Sequence, residues 1–182
     1  VAAQKLVHDG FMVRREVLVR SGLFDLAYDH GSRADADLGT RVYLSGGLMV
    51  LEPSIRVLHH KAPSGGLRRH GARVVTYADS RRRLGARHLP SATEIYLARR
   101  YFAPRQVREA LLLRRLGTLK TTGSLGRRAA KVLLGAVQWL DTRRRVRRAW
   151  EQSTELLERY PSIPPLKDPL EDPPAGDSED AP

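Results

Sequence analysis

From about Thr76 to Tyr160 the chain carries helix signals and no strand signal, which restricts its fold more than any other feature. Ser91-Ala-Thr-Glu94 spells a capping box, a hydroxyl and a carboxylate three residues apart that satisfy each other's backbone N–H, and it opens a helix to about Phe102. Pro104 suits the first turn of the next helix, where a missing N–H costs nothing, and that helix runs to Gly117. KTTGSLG, from Lys120 to Gly126, reads as a linker. Arg127 to about Tyr160 reads as one long helix or two. From Pro161 onward proline and acid dominate, so too little apolar surface is left to offset ordering entropy and a disordered tail is expected.

The first 78 residues have another texture. Phe11-Met-Val13 reads as a short buried strand, and Arg14 to Ser21 as a helix stopped by Gly22. A loop, LFDLAYDHGSRA, precedes a helix from Asp35 to about Ser45 with Leu38, Val42 and Leu44 or Tyr43 on its apolar side and Gly46-Gly47 at its end. LMVLEPSIRVLHH predicts two short strands around Glu52-Pro53-Ser54, and KAPSGGLRR a flexible loop. The expectation is an α/β segment over 1–78, a basic helical extension over 79–165 and a Pro-rich acidic tail over 166–182. Because Val1 falls inside what reads as a structured segment, the chain is expected to be part of a longer protein.

There is no cysteine, which excludes disulfides, thiolate metal sites and cysteine nucleophiles. Six of the 20 acids lie between Asp168 and Pro182, where there is no base, so 14 acids face 32 bases over residues 1–167, a balance of +18. Such a body attracts polyanions: nucleotide diphosphates, anionic lipid or nucleic acid. Arginine clusters at 81–83 and 143–148 suit nucleic acid, but no binding motif is present and aromatics, at 6%, are too few for stacking platforms. VLLGAVQWL, Val132 to Leu140, is far shorter than the roughly 20 residues that span a bilayer. With Arg127, Arg128 and Lys131 before it and five arginines from Arg143 to Arg148 after it, it either lies on an anionic membrane surface or packs on the domain with a solvated basic face. The short run and its glycine favour the packed helix.

Three features carry candidate chemistry. Asp35 and Asp37 open a helix, where carboxylates most often cap orphan N–H groups, though a metal-binding D-x-D or an active-site acid fits the same letters. Asp37 and Arg41, four apart, predict a surface ion pair of about 0.3–0.5 kcal/mol. His59-His60 ends a strand and serves either packing or metal ligation; Ser64-Gly65-Gly66 forms either a turn or an anion-binding nest.

The order and spacing of Gly22-Leu-Phe24-Asp25, of Ala34-Asp35-Ala36-Asp37-Leu38-Gly39-Thr40-Arg41, and of Glu52-Pro53 with His59 resemble the C-terminal half of the catalytic domain of family 2 glycosyltransferases, inverting enzymes of the GT-A fold. The resemblance spans roughly Phe11 to Arg69. It implies an α/β half-domain and transfer of a sugar from a nucleotide-sugar donor to a glycan or lipid-linked acceptor, near the inner face of the plasma membrane. It puts Asp35 in the place of the catalytic base and makes Asp37 the residue that caps the helix and pairs with Arg41. It puts His59, or His60 if the register slips by one, among the ligands of a divalent metal, Mn or Mg. Lys61, Ser64, Gly65, Gly66 and Arg68 fall where a loop closes over the donor diphosphate. The family's usual acid before the base is here Ala34. Its strand-ending D-x-D and donor-binding half would lie upstream, so the 182 residues are expected to show no independent transfer; Asp35-Ala-Asp37 opens a helix and is not that motif.

Overall fold

The computed structural model describes residues 11–52, 54–55, 75–163 and 166. Among the described residues the regular structure is seven α-helices and one 3₁₀ turn: α1 (Arg15–Ser21), the 3₁₀ turn (Leu26–Tyr28), α2 (Ala34–Leu44), α3 (Tyr77–Arg82), α4 (Ala92–Tyr101), α5 (Pro104–Gly117), α6 (Leu125–Val137) and α7 (Trp139–Arg159). The chain divides into two compact units. Among the described residues, one gathers 11–24 with 35–52, 54–55, 163 and 166, and the other 25–34 with 75–162.

The expected α/β class is overturned: the described residues are helical and contain no strand beyond a single bridge residue, Val50. Phe11-Met-Val13 is irregular, and Met12 is 91% exposed instead of buried. Leu48, Val50, Leu51 and Ile55 are exposed as well, and residues 56–60 of the second expected strand lie outside the described residues. A strand's N–H and C=O groups need a neighbouring strand, and the described residues form none, so apolar alternation alone does not make a sheet.

The smaller unit is built on α1 and α2. Leu38, Val42 and Met49 are buried with Val17 and Leu18 packed against them, whereas Tyr43 and Leu44 face outward. Gly22 ends α1 at φ 74°, a left-handed conformation that a side chain would strain.

The helical unit forms as its caps predict. Ser91 and Glu94 make the reciprocal capping box of α4, and Pro104 opens α5. The stretch after the linker is two helices joined at Gln138. α4 packs on α7, with Tyr28 meeting Tyr96 edge-on at 5.4 Å and Leu97, Leu156, Leu157 and Tyr160 around them. The guanidinium of Arg99 stacks on Trp150 at 4.4 Å and donates to the hydroxyls of Ser153 and Thr154. The expected acidic tail lies outside the described residues but for Leu166.

Candidate functional site

Asp35 sits in the first turn of α2, where the unpaired N–H groups of the helix start favour a carboxylate. Two residues on, Asp37 is completely buried, and Arg41 reaches back one turn to it. The guanidinium donates to Asp37 Oδ2 from Nε at 2.9 Å and from Nη2 at 2.8 Å. Nη2 also donates to the carbonyl of Leu23 at 2.6 Å, and Nη1 to that of Ser21. The pair expected at the surface is therefore a buried fork, with Arg41 only 10% exposed at its side chain. It ties the helix bearing Asp35 to the two carbonyls that flank Gly22, so the turn Gly22-Leu-Phe24 and the acidic helix form one mount.

Asp25, the last residue of that turn motif, is buried in the helical unit and caps the 3₁₀ turn through the N–H of Ala27 at 2.9 Å. Its other oxygen accepts from the Tyr96 hydroxyl at 2.6 Å and lies 3.5 Å from Arg100 Nη1, which in turn donates to the Tyr160 carbonyl. A carboxylate so fully engaged is structural.

A second polar chain runs through the same unit. Arg33, at the strained φ of 87°, donates to Glu94 Oε1 from Nε at 3.0 Å and Nη2 at 2.6 Å, and Arg114 stands 3.5 Å from the same oxygen. Burial works to raise the Glu94 carboxyl, but the hydrogen bonds from Arg33, the charges of Arg114 and Arg33 and the N–H of Ser91 outweigh it and hold the group below the ordinary glutamate value. Arg114 Nη1 also donates to His88 Nε2 at 2.7 Å, so His88 carries its proton on Nδ1, 2.8 Å from the Val75 carbonyl. Glu94 was legible as a capping residue; nothing in the sequence pairs it with Arg33 or Arg114.

Beside this chain a cavity of about 340 Å³ opens between the 27–31 loop, the start of α4 and the last turns of α7. His30, Ser91, Thr93, Glu155 and Arg159 line it. Gly31 permits its close wall: a Cβ there would meet Thr93 Cγ2 at 2.5 Å, while the N–H of Ser32 donates to Thr93 Oγ1. The cavity thus offers hydroxyls, an imidazole and charges of both signs beside apolar surface from Ala27, Ala92 and Leu156.

His59, His60, Lys61, Ser64, Gly65, Gly66 and Arg68 lie outside the described residues. Among the described residues no group of three or more His, Asp or Glu is placed to hold a metal, and Asp37 is committed to Arg41. The described residues thus do not make a metal site. None of the described helices is long and apolar enough to cross a membrane. No protein-family model, no curated protein and no solved structure matches the chain.

Proposed function

We propose that this chain supplies the acceptor side of a sugar transfer, with Asp35 as the general base. In this reading the Asp35 carboxylate takes the proton of an acceptor hydroxyl as that oxygen attacks the anomeric carbon of a nucleotide-sugar. The new C–O bond forms on one face, the bond to the diphosphate breaks on the other, and the leaving nucleotide keeps the electron pair, so the configuration inverts. The supporting observation is the mount: Arg41 joins the acidic helix to the turn before Asp25 through a buried fork, coupling the two segments on which the resemblance rests. A capping aspartate alone needs no such support. The donor-side roles of Lys61, Ser64, Gly65, Gly66, Arg68 and His59 rest on the resemblance, and so does any metal.

The test is transfer by the intact protein from a panel of nucleotide-sugars, with product configuration read by NMR. Loss of a positioned base costs about 10²–10⁴ in rate, so Asp35→Asn should lose at least about 100-fold in turnover while still binding the nucleotide-sugar. Asp141→Asn, at an exposed position of α7 away from the cavity, serves as control. Unchanged turnover in Asp35→Asn removes the base, and retention of configuration removes the mechanism.

A further inference from the structure

α6 is packed inside out. The side it buries carries Lys131 and Gly135, and the Lys131 ammonium donates to the carbonyls of Ser80, Arg83 and Ala86. Its apolar residues face solvent instead: Leu125, Val132, Leu133 and Val137, with Leu140 of α7, are between 51% and 82% exposed. Backbone bonds from Gln138 N to Leu134 O at 3.0 Å and from Thr142 N to Gln138 O at 2.9 Å carry the helical ladder through the junction. Helical spacing therefore puts Leu125, Val132, Leu133, Val137 and Leu140 on one side, opposite Lys131, Gly135, Thr142 and Val146.

Along α7 the same side continues at i+3 and i+4 as Arg143, Arg144, Arg147 and Arg148, all exposed. Arg147 pairs with Glu151 one turn on, and Arg145, on the flank, pairs with Asp141. A solvent-facing apolar strip of this size marks a contact surface. Its extension into an unbroken row of long basic side chains selects the chemistry of what covers it: apolar depth bordered by negative charge. Arginine stems can lie along acyl chains while their guanidinium heads reach phosphate.

We infer that the α6–α7 junction docks on an anionic phospholipid surface, with the α6 strip in the headgroup–acyl boundary and Arg143, Arg144 and Arg148 on lipid phosphates. This holds whether or not the chain takes part in sugar transfer. It is tested by co-flotation of the full chain with neutral vesicles and with vesicles containing roughly 30 mol% phosphatidylglycerol, at low and high salt. Binding should need the anionic lipid and weaken with salt. Each basic residue near such a surface is worth about fivefold, so Arg143, Arg144 and Arg148 changed together to Gln should reduce partitioning by about 100-fold. Leu133, Val137 and Leu140 changed to Ser should abolish binding while a cooperative thermal transition persists, because these positions are 64–80% exposed. Quenching of Trp139 by brominated lipid, lost in Trp139→Phe, would support the placement. No binding to anionic vesicles, or equal binding to neutral ones, would overturn it. So would a concentration-dependent dimer that the Ser variant dissociates and that does not bind vesicles, since a second copy would then cover the strip.

Discussion

Replacing Arg41 by Met tests whether the acidic helix is held by its guanidinium fork. The substitution keeps most of the stem's volume and removes every donor. It leaves Asp37 as a fully buried charge without its fork, and it leaves the carbonyls of Ser21 and Leu23 without their guanidinium. Breaking a buried ion pair by removing one partner costs about 3–5 kcal/mol, against about 0–1 kcal/mol for a surface pair. Among the described residues of the smaller unit the buried apolar side chains are Leu38, Val42 and Met49, so a loss of this size should be felt throughout α2. Hydrogen exchange read by mass spectrometry on peptides covering 34–44 suits the question, because both tryptophans lie in α7 and report on the other unit. Amides of α2 should lose at least about 100-fold in protection, the equivalent of roughly 3 kcal/mol. Asp37→Leu combined with Arg41→Met should recover part of the loss, since no charge is then stranded, giving a coupling of at least about 2 kcal/mol in the double-mutant cycle. A change below about fivefold in Arg41→Met, or additive single effects, would mean that the pair is solvated and that Asp35 has no rigid mount.

Three further outcomes follow from the helical unit. Ser91→Ala removes the hydroxyl that accepts from Glu94 N and should lower stability by about 1 kcal/mol in urea denaturation followed by Trp fluorescence; no shift would show that the box does not set the start of α4. Glu94 has a folded-state pKa held below its ordinary value of 4.5, so its contribution is complete above that pH and disappears as pH falls through the folded value. Wild type should therefore lose thermal stability toward Glu94→Gln below about pH 4.5, and parallel melting-temperature curves would refute the pairing with Arg33 and Arg114. Lys131→Met strands three carbonyls at and just beyond the end of α3, and with about 1–3 kcal/mol for each buried group left unsatisfied the cost should exceed about 2 kcal/mol by denaturation. A neutral result would place that ammonium in solvent.

Local chemistry was legible where a residue type has one physical use. Gly22 and Gly46, at φ 74° and 82°, end the helices they were expected to end, and Ser91, Glu94 and Pro104 start theirs. Thr76 and Asp79 form a second capping box, the same signal written with the shorter acid. The expected strands failed for a non-local reason, since pairing depends on a partner segment that Phe11-Met-Val13 and Leu48 to Leu51 do not reveal. Asp37 and Arg41 were correctly paired by spacing but wrongly placed at the surface, because burial of the fork depends on the Ser21 and Leu23 carbonyls, reached only through the fold. The cavity wall at Gly31 and Thr93 joins positions 62 apart, and no pattern in the sequence announces it.

The charge reading changes most. A balance of +18 over residues 1–167 looks like a surface waiting for a polyanion, yet many of these cations serve inside the molecule. Arg41, Arg87, Arg99, Arg100 and Lys131 each donate to backbone carbonyls or buried hydroxyls, and Arg33 and Arg114 share one carboxylate. Among the described residues as many polar as apolar side chains are buried, so donors of this reach do part of the work that a larger apolar core would do. The apolar residues that such a core would use are displaced outward, and α6 shows the exchange in one helix: Lys131 is in, Leu133 and Val137 are out. Among the exposed cations, Arg143, Arg144 and Arg148 lie on the side of α7 that continues this apolar strip. A uniformly basic surface would bind any polyanion; arginines set at the border of exposed leucine and valine discriminate for an anion that comes with a hydrocarbon layer behind it.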